Sequence, residues 1–195
     1  MYLTLKTDGL LSTEKLLRGG MTFTVASAVK KKSVVSLTFP AFRKRSNPQV
    51  VQLKDSPDRY RNFTADIIVN KTRVDSLILS CNRQIRDNFK DIQVSGIKGI
   101  DEPLISIYNE QSIKVSTAIN HKMQAIYELA VPLKCLGEDL NGKFKYNIKM
   151  ISLGTIAVPG AFDPPYLPGY ITTDPKYLYL NFTTDFWGEY TIALK

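Results

Sequence analysis

Apolar and polar residues alternate in short runs along most of the chain, and turn-forming residues bound the runs. A period of two is what a strand with one buried face requires. Met1–Thr7 is the first such run. Met21–Ala26 and Val34–Pro40 flank the charged stretch Val29–Ser33 and predict a hairpin with Lys30, Lys31 and Lys32 at its tip. Asp91–Ile97 and a shorter Ile105–Asn109 come next. Ser112–Ile119 and Gln124–Leu133 form the clearest hairpin, joined by Asn120-His121-Lys122-Met123, where Asn tolerates the positive φ of a tight reversal. Phe144–Leu153 is long and alternating, and Tyr177–Thr183 with Trp187–Leu194 predicts a closing pair around Thr184-Asp185-Phe186. Asp8–Arg18 reads as a polar loop with at most one helical turn, ended by a break at Gly19-Gly20.

Two segments depart from this rhythm. Val74, Leu77, Ile78, Cys81, Ile85 and Phe89 recur at steps of three and four, which predicts an amphipathic helix over 72–89. Its upstream part, 60–71, is β-branched and ambiguous; the helical insertion as a whole is placed at 58–89. Ala157–Lys176 holds Pro159, Pro164, Pro165, Pro168 and Pro175. Proline lacks the ladder donor, so this cannot be a central strand and is expected to be a long surface loop, 157–176. The pattern as a whole predicts a mainly β fold: one domain over 1–195, an antiparallel β-sandwich of jelly-roll or carbohydrate-binding-module type, with a helical insertion around 60–89. An α+β domain with the helix packed on one sheet is the alternative.

Composition narrows the chemistry. At 195 residues and 44% hydrophobic, the chain can bury a core without a disulfide or metal to hold it. With two cysteines, Cys81 and Cys135, and one histidine, His121, neither a four-thiolate zinc site nor a mixed Cys/His site can be assembled. No nucleophile elbow, phosphate loop or dinucleotide fingerprint is present, and no cofactor is expected. Nor does any stretch reach the roughly 18 apolar residues of a membrane span. The net charge of +8 lies wholly in residues 1–61, with basic clusters at Lys30, Lys31, Lys32 and at Arg43, Lys44, Arg45. Such clusters attract anionic surfaces, but few aromatics interleave with them and nucleic acid is not the expected partner.

Two further sets of residues stand out as candidate sites. Phe162, Tyr166 and Tyr170 fall at four-residue steps in the proline-rich loop, and Phe186 and Trp187 lie beyond it. Flat rings of this kind stack on sugars, and with Trp187 they are the candidate ligand platform; their structural alternative is anchoring the loop. Glu138, Asp139 and Asn141 are the densest oxygen ligands for a calcium ion. A carboxylate pair for glycoside hydrolysis needs only two side chains at a set distance and leaves no sequence trace.

The runs Tyr2-Leu3-Thr4-Leu5, Leu16-Leu17-Arg18-Gly19-Gly20-Met21-Thr22-Phe23, Lys30-Lys31-Lys32 and Leu37-Thr38-Phe39-Pro40 resemble a group of uncharacterised proteins of Bacteroidetes-type bacteria. Ile113-Lys114-Val115-Ser116-Thr117-Ala118 and Ala125-Ile126-Tyr127-Glu128-Leu129-Ala130-Val131-Pro132-Leu133 look like the same group. Those proteins are similar in architecture to family 9 carbohydrate-binding modules and DOMON-like domains. The resemblance implies a β-sandwich, export to the periplasm or cell surface, and a first strand upstream of the segment where this chain begins. It carries over no site residue: the single Trp187 cannot supply a tryptophan pair, and His121 does not match a haem ligand. The functional expectation is a non-catalytic, carbohydrate-binding-like domain. A protein-interaction or structural module and a carboxylate-based glycoside hydrolase stand as alternatives.

Overall fold

A computed structural model describes residues 1–27, 34–41, 71–137, 143–151 and 178–191. In chain order the elements are β1 (Tyr2–Lys6), α1 (Leu10–Gly19), β2 (Met21–Ser27), β3 (Val34–Ala41), α2 (Lys71–Asn88), β4 (Asp91–Ser95) and β5 (Leu104–Ser106). They continue with β6 (Lys114–Ile119), β7 (Ala125–Ala130), α3 (Leu133–Leu136), β8 (Lys143–Met150), α4 (Leu178–Asn181) and β9 (Thr184–Thr191). The strands form two antiparallel sheets, one of three strands in the order β1-β7-β6 and one of six in the order β5-β4-β3-β2-β8-β9. The fold is therefore mainly β, in a sandwich-like arrangement.

The alternation read from the sequence is the burial pattern of the strands. Met21, Phe23 and Val25 of β2 and Val35, Leu37 and Phe39 of β3 all point into one core. The threonines between them face the other way, and Thr22 and Thr38 hydrogen-bond across the pair at 2.8 Å. From the smaller sheet Ala125, Tyr127 and Leu129 of β7 enter the same core. The ring of Phe39 lies 6.2 Å from that of Tyr127, which joins the two sheets, and meets Phe89 edge-on at 6.1 Å. Each large apolar side chain so buried contributes roughly 1.5–3 kcal/mol. Pro40 lies where the β3–β4 register shifts, between Thr38 and Ala41, so its missing donor falls at an irregularity of the ladder.

Helix α2 presents the predicted face: Val74, Ile78, Cys81, Ile85 and, just past its end, Phe89 are buried. It also finishes the rim of the smaller sheet. The Asn82 side chain mimics a strand backbone, its Nδ2 donating to the Ile119 carbonyl at 2.9 Å and its Oδ1 accepting from the Ile119 amide at 2.7 Å. The residues 58–70 of the expected insertion lie outside the described ones.

Three expectations are corrected. Leu10–Gly19 is a helix, not a loop. Its charges made it read as solvated, yet Glu14 and Lys15 are buried because they are partnered. Glu14 pairs with Arg18 at 3.1 Å; burial raises the Glu14 carboxyl above its ordinary value and Arg18 opposes the rise. The helix stops where Gly20, at φ 71°, donates to the Leu16 carbonyl at 2.8 Å. Second, the Tyr177–Thr183 segment contains the helical turn α4 rather than a strand, and Thr184–Phe186, expected as a turn, opens β9. Third, the positive φ of the β6–β7 turn belongs to Met123, at 56°. Asn120 acts through its side chain, Oδ1 accepting from the amides of Lys122 and Gln124 at 2.9 and 3.1 Å.

The cysteines Cys81 and Cys135 are both buried free thiols, and burial pushes the Cys81 thiol up to about 11. Among the described residues no helix is long and apolar enough to cross a membrane.

Candidate functional site

Of the four candidate platform rings, Trp187 alone falls among the described residues; Phe162, Tyr166 and Tyr170 lie outside them. So do the basic clusters Lys30, Lys31, Lys32 and Arg43, Lys44, Arg45, the calcium candidates Glu138, Asp139 and Asn141, and the loop 157–176. The site that can be built is thus the outer margin of the six-stranded sheet, strands β8 and β9.

β9 is the edge strand and pairs with β8 over its full length, from Lys143↔Thr191 to Met150↔Thr184. Alternation sends its side chains to two faces of different character. On the polar face Asp185, Trp187 and Glu189 stand beside Lys143, Lys145, Asn147 and Lys149 of β8. The Trp187 ring is 59% exposed, so a large apolar plane is open to solvent among hydrogen-bonding groups. Asn147, opposite Trp187 and itself buried, donates through Nδ2 to Asp185 Oδ1 at 2.5 Å and to the Phe186 carbonyl at 3.0 Å. Glu189 pairs with Lys143 and lies 3.8 Å from Lys145; Asp185 lies 4.0 Å from Lys149. The hydrogen bond from Lys143, then its charge, holds the Glu189 carboxyl below its usual range. Trp187 thereby stands between two carboxylates, Asp185 held by Asn147 and Glu189 by Lys143.

The opposite face continues the apolar side of the sheet past the core. Phe23 of β2 meets Tyr146 of β8 at 6.1 Å, Tyr146 meets Phe186 of β9 at 6.2 Å, and Phe144 meets Tyr190 at 5.6 Å. Between Phe186 and Tyr190 sits Gly188. A Cβ there would stand 2.5 Å from Tyr146 Cζ, so the missing side chain is the space in which the Tyr146 ring lies. Phe186 and Tyr190 remain 54% and 56% exposed although they face the core side.

A second polar cluster went unnoticed in the sequence. Lys15 of α1 is wholly buried. Its Nζ donates to the Phe182 carbonyl, to Thr184 Oγ1 at 2.8 Å and, more weakly, to the Tyr179 carbonyl at 3.4 Å, and it lies 4.2 Å from the Tyr179 ring centroid. Burial lowers the amine below its ordinary value. The contacts tie α1 to the start of β9 and so set the position of the edge strand. The nearest sequence signal was Leu10 and Leu17, seven residues apart with no glycine or proline between them.

His121 is exposed at the β6–β7 turn, its Nδ1 3.2 Å from Asp75 Oδ1. Among the described residues no three His, Cys, Asp or Glu side chains converge to hold a metal ion. Comparison with known protein families, with curated proteins and with solved structures finds no match to this chain.

Proposed function

We propose that the chain is a non-catalytic binding domain of carbohydrate-binding-module type, with the polar face of β8–β9 as its platform and Trp187 as its stacking ring. The observation that carries this reading is the exposure of Trp187 between Asp185 and Glu189 on the β8–β9 ladder. A sugar offers an apolar ring face bordered by hydroxyls. An indole flanked by fixed carboxylates, with lysines beside them, offers the complementary surface. The sequence resemblance to carbohydrate-binding and DOMON-like sandwiches points the same way, and from it follows placement outside the cytoplasm.

Affinity electrophoresis of the full chain through gels containing soluble polysaccharides, with a glycan array, tests the proposal. Retardation by at least one glycan is expected, with Trp187→Ala weakening affinity about tenfold, roughly the 1.4 kcal/mol of a lost stacking contact. Absence of binding across the panel, or binding indifferent to Trp187→Ala, refutes it. The carboxylate-hydrolase alternative draws no support from this face. Asp185 and Glu189 sit four residues apart on one strand, about 13 Å between backbones, with Asp185 bonded to Asn147 and Glu189 to Lys143. Catalytic pairs stand roughly 5–9.5 Å apart. The protein-interaction alternative draws on the outer rim of β9, which pairs with no strand among the described residues.

A further inference from the structure

We propose that β9 pairs with β9 of a second copy of this chain, joining two six-stranded sheets edge to edge across a twofold axis at Gly188. Of the four sheet edges among the described residues, three are blunted. β5 is only three residues long, β6 is clamped at Ile119 by Asn82 with α2 beside it, and β1 is short and carries Lys6. β9 runs eight residues in unbroken register with β8, with neither proline nor lysine. Among the described residues nothing pairs with its outer side. A long edge strand with three exposed aromatic rings, its charges confined to Asp185 and Glu189 on one face, is a template for another strand.

The occupant is read from the strand's own sequence. Antiparallel pairing sets same-face residues opposite one another. Centred on Gly188, it brings Phe186 against Tyr190 of the second copy and Trp187 against Glu189 of the second copy, each contact made twice. Asp185 then faces Thr191 of the second copy. Centring on Trp187 would oppose Asp185 to Glu189 twice, and centring on Glu189 would oppose that carboxylate to itself; like charges directly opposite are unfavourable. The strand is therefore complementary to itself in the register that also covers the exposed rings of Phe186 and Tyr190, as an isologous interface requires. The same register would bring the Trp187 side chains of both copies to diagonal positions about 7–8 Å apart on the polar face. The pairing itself stands whether or not that face binds sugar.

Sedimentation velocity of the full chain across a wide concentration range tests this, with wild type compared to Thr191→Asp and Thr191→Lys. Thr191 is exposed and lies opposite Asp185 of the second copy only in the Gly188-centred register. Two altered charge pairs per dimer should weaken dimerisation roughly 2- to 30-fold in Thr191→Asp and strengthen it by a similar factor in Thr191→Lys. Circular dichroism and melting curves qualify each variant as folded, and if one fails the other decides against wild type. A reversible dimer responding in these opposite directions supports the proposal. A wild-type chain that stays monomeric throughout, or a dimer indifferent to the charge at 191, overturns it.

Discussion

Lys15 concentrates the balance between desolvation and hydrogen bonding in this fold, and replacing it with Met tests that balance. Met keeps the apolar stem and removes the ammonium. In the native protein the amine makes two good charge-assisted bonds, to the Phe182 carbonyl and Thr184 Oγ1, and a weak third to the Tyr179 carbonyl. At about 1.5–3 kcal/mol each, the two good bonds gross roughly 3–6 kcal/mol. Burying an ammonium without a carboxylate costs several kcal/mol, which offsets most of that sum. In the variant, Thr184 Oγ1 keeps its bond to the Tyr179 hydroxyl at 3.1 Å, and the Tyr179 carbonyl keeps the Phe182 amide at 3.4 Å. The Phe182 carbonyl loses its cation, at about 1–3 kcal/mol for an orphaned buried acceptor. Lys15→Met is thus expected to lose about 1–2 kcal/mol at pH 7 in urea denaturation. The pH dependence has a definite sign. The folded amine lies below its ordinary value of 10.5, so the unfolded chain holds more protons between the two values, and stability rises with pH across that window. The stability difference between wild type and Lys15→Met, which cancels every other titration, should widen as pH rises from neutrality toward 10.5. A variant as stable as wild type at pH 7, or a difference that narrows with rising pH, refutes this account.

Three further outcomes are expected. Asn82→Ala removes both side-chain bonds to Ile119 and should cost about 1–3 kcal/mol, with faster amide hydrogen exchange at Ile119 as the local readout. Gly20→Ala puts a Cβ 2.6 Å from the Pro40 carbonyl oxygen at φ 71°, and should lower stability by at least about 1 kcal/mol in thermal or urea unfolding. Tyr127→Phe deletes a fully buried hydroxyl that has no hydrogen-bond partner among the described residues and whose ionisation burial opposes. Stability should hold within about 1 kcal/mol or rise, since no bond is lost and the cost of desolvating a hydroxyl is removed.

The strand pattern was legible because a half-buried strand writes its environment into every second residue. Met21, Phe23 and Val25 alternate with Thr22 and Thr24, and no other backbone state sends them to opposite sides. Helix α2 was legible for the matching reason, its apolar residues returning at the helical period. α1 was not, because Glu14 and Lys15 read as solvent-facing until Arg18 and the α4–β9 carbonyls are brought to them, and those carbonyls lie more than 160 positions away. The same limit governs the candidate site. The sequence singled out Trp187 as a candidate stacking ring by the aromatics near it in the chain. Only the β8–β9 register decided that Trp187 shares a face with Asp185, Glu189 and three lysines, while Phe186 and Tyr190 extend the core side beyond the core. By itself the sequence determined the period of most strands and of α2. The tertiary structure decided which elements are neighbours and which strands lie at the sheet edges among the described residues, because pairing partners and buried charges are fixed by contacts between residues far apart in the chain.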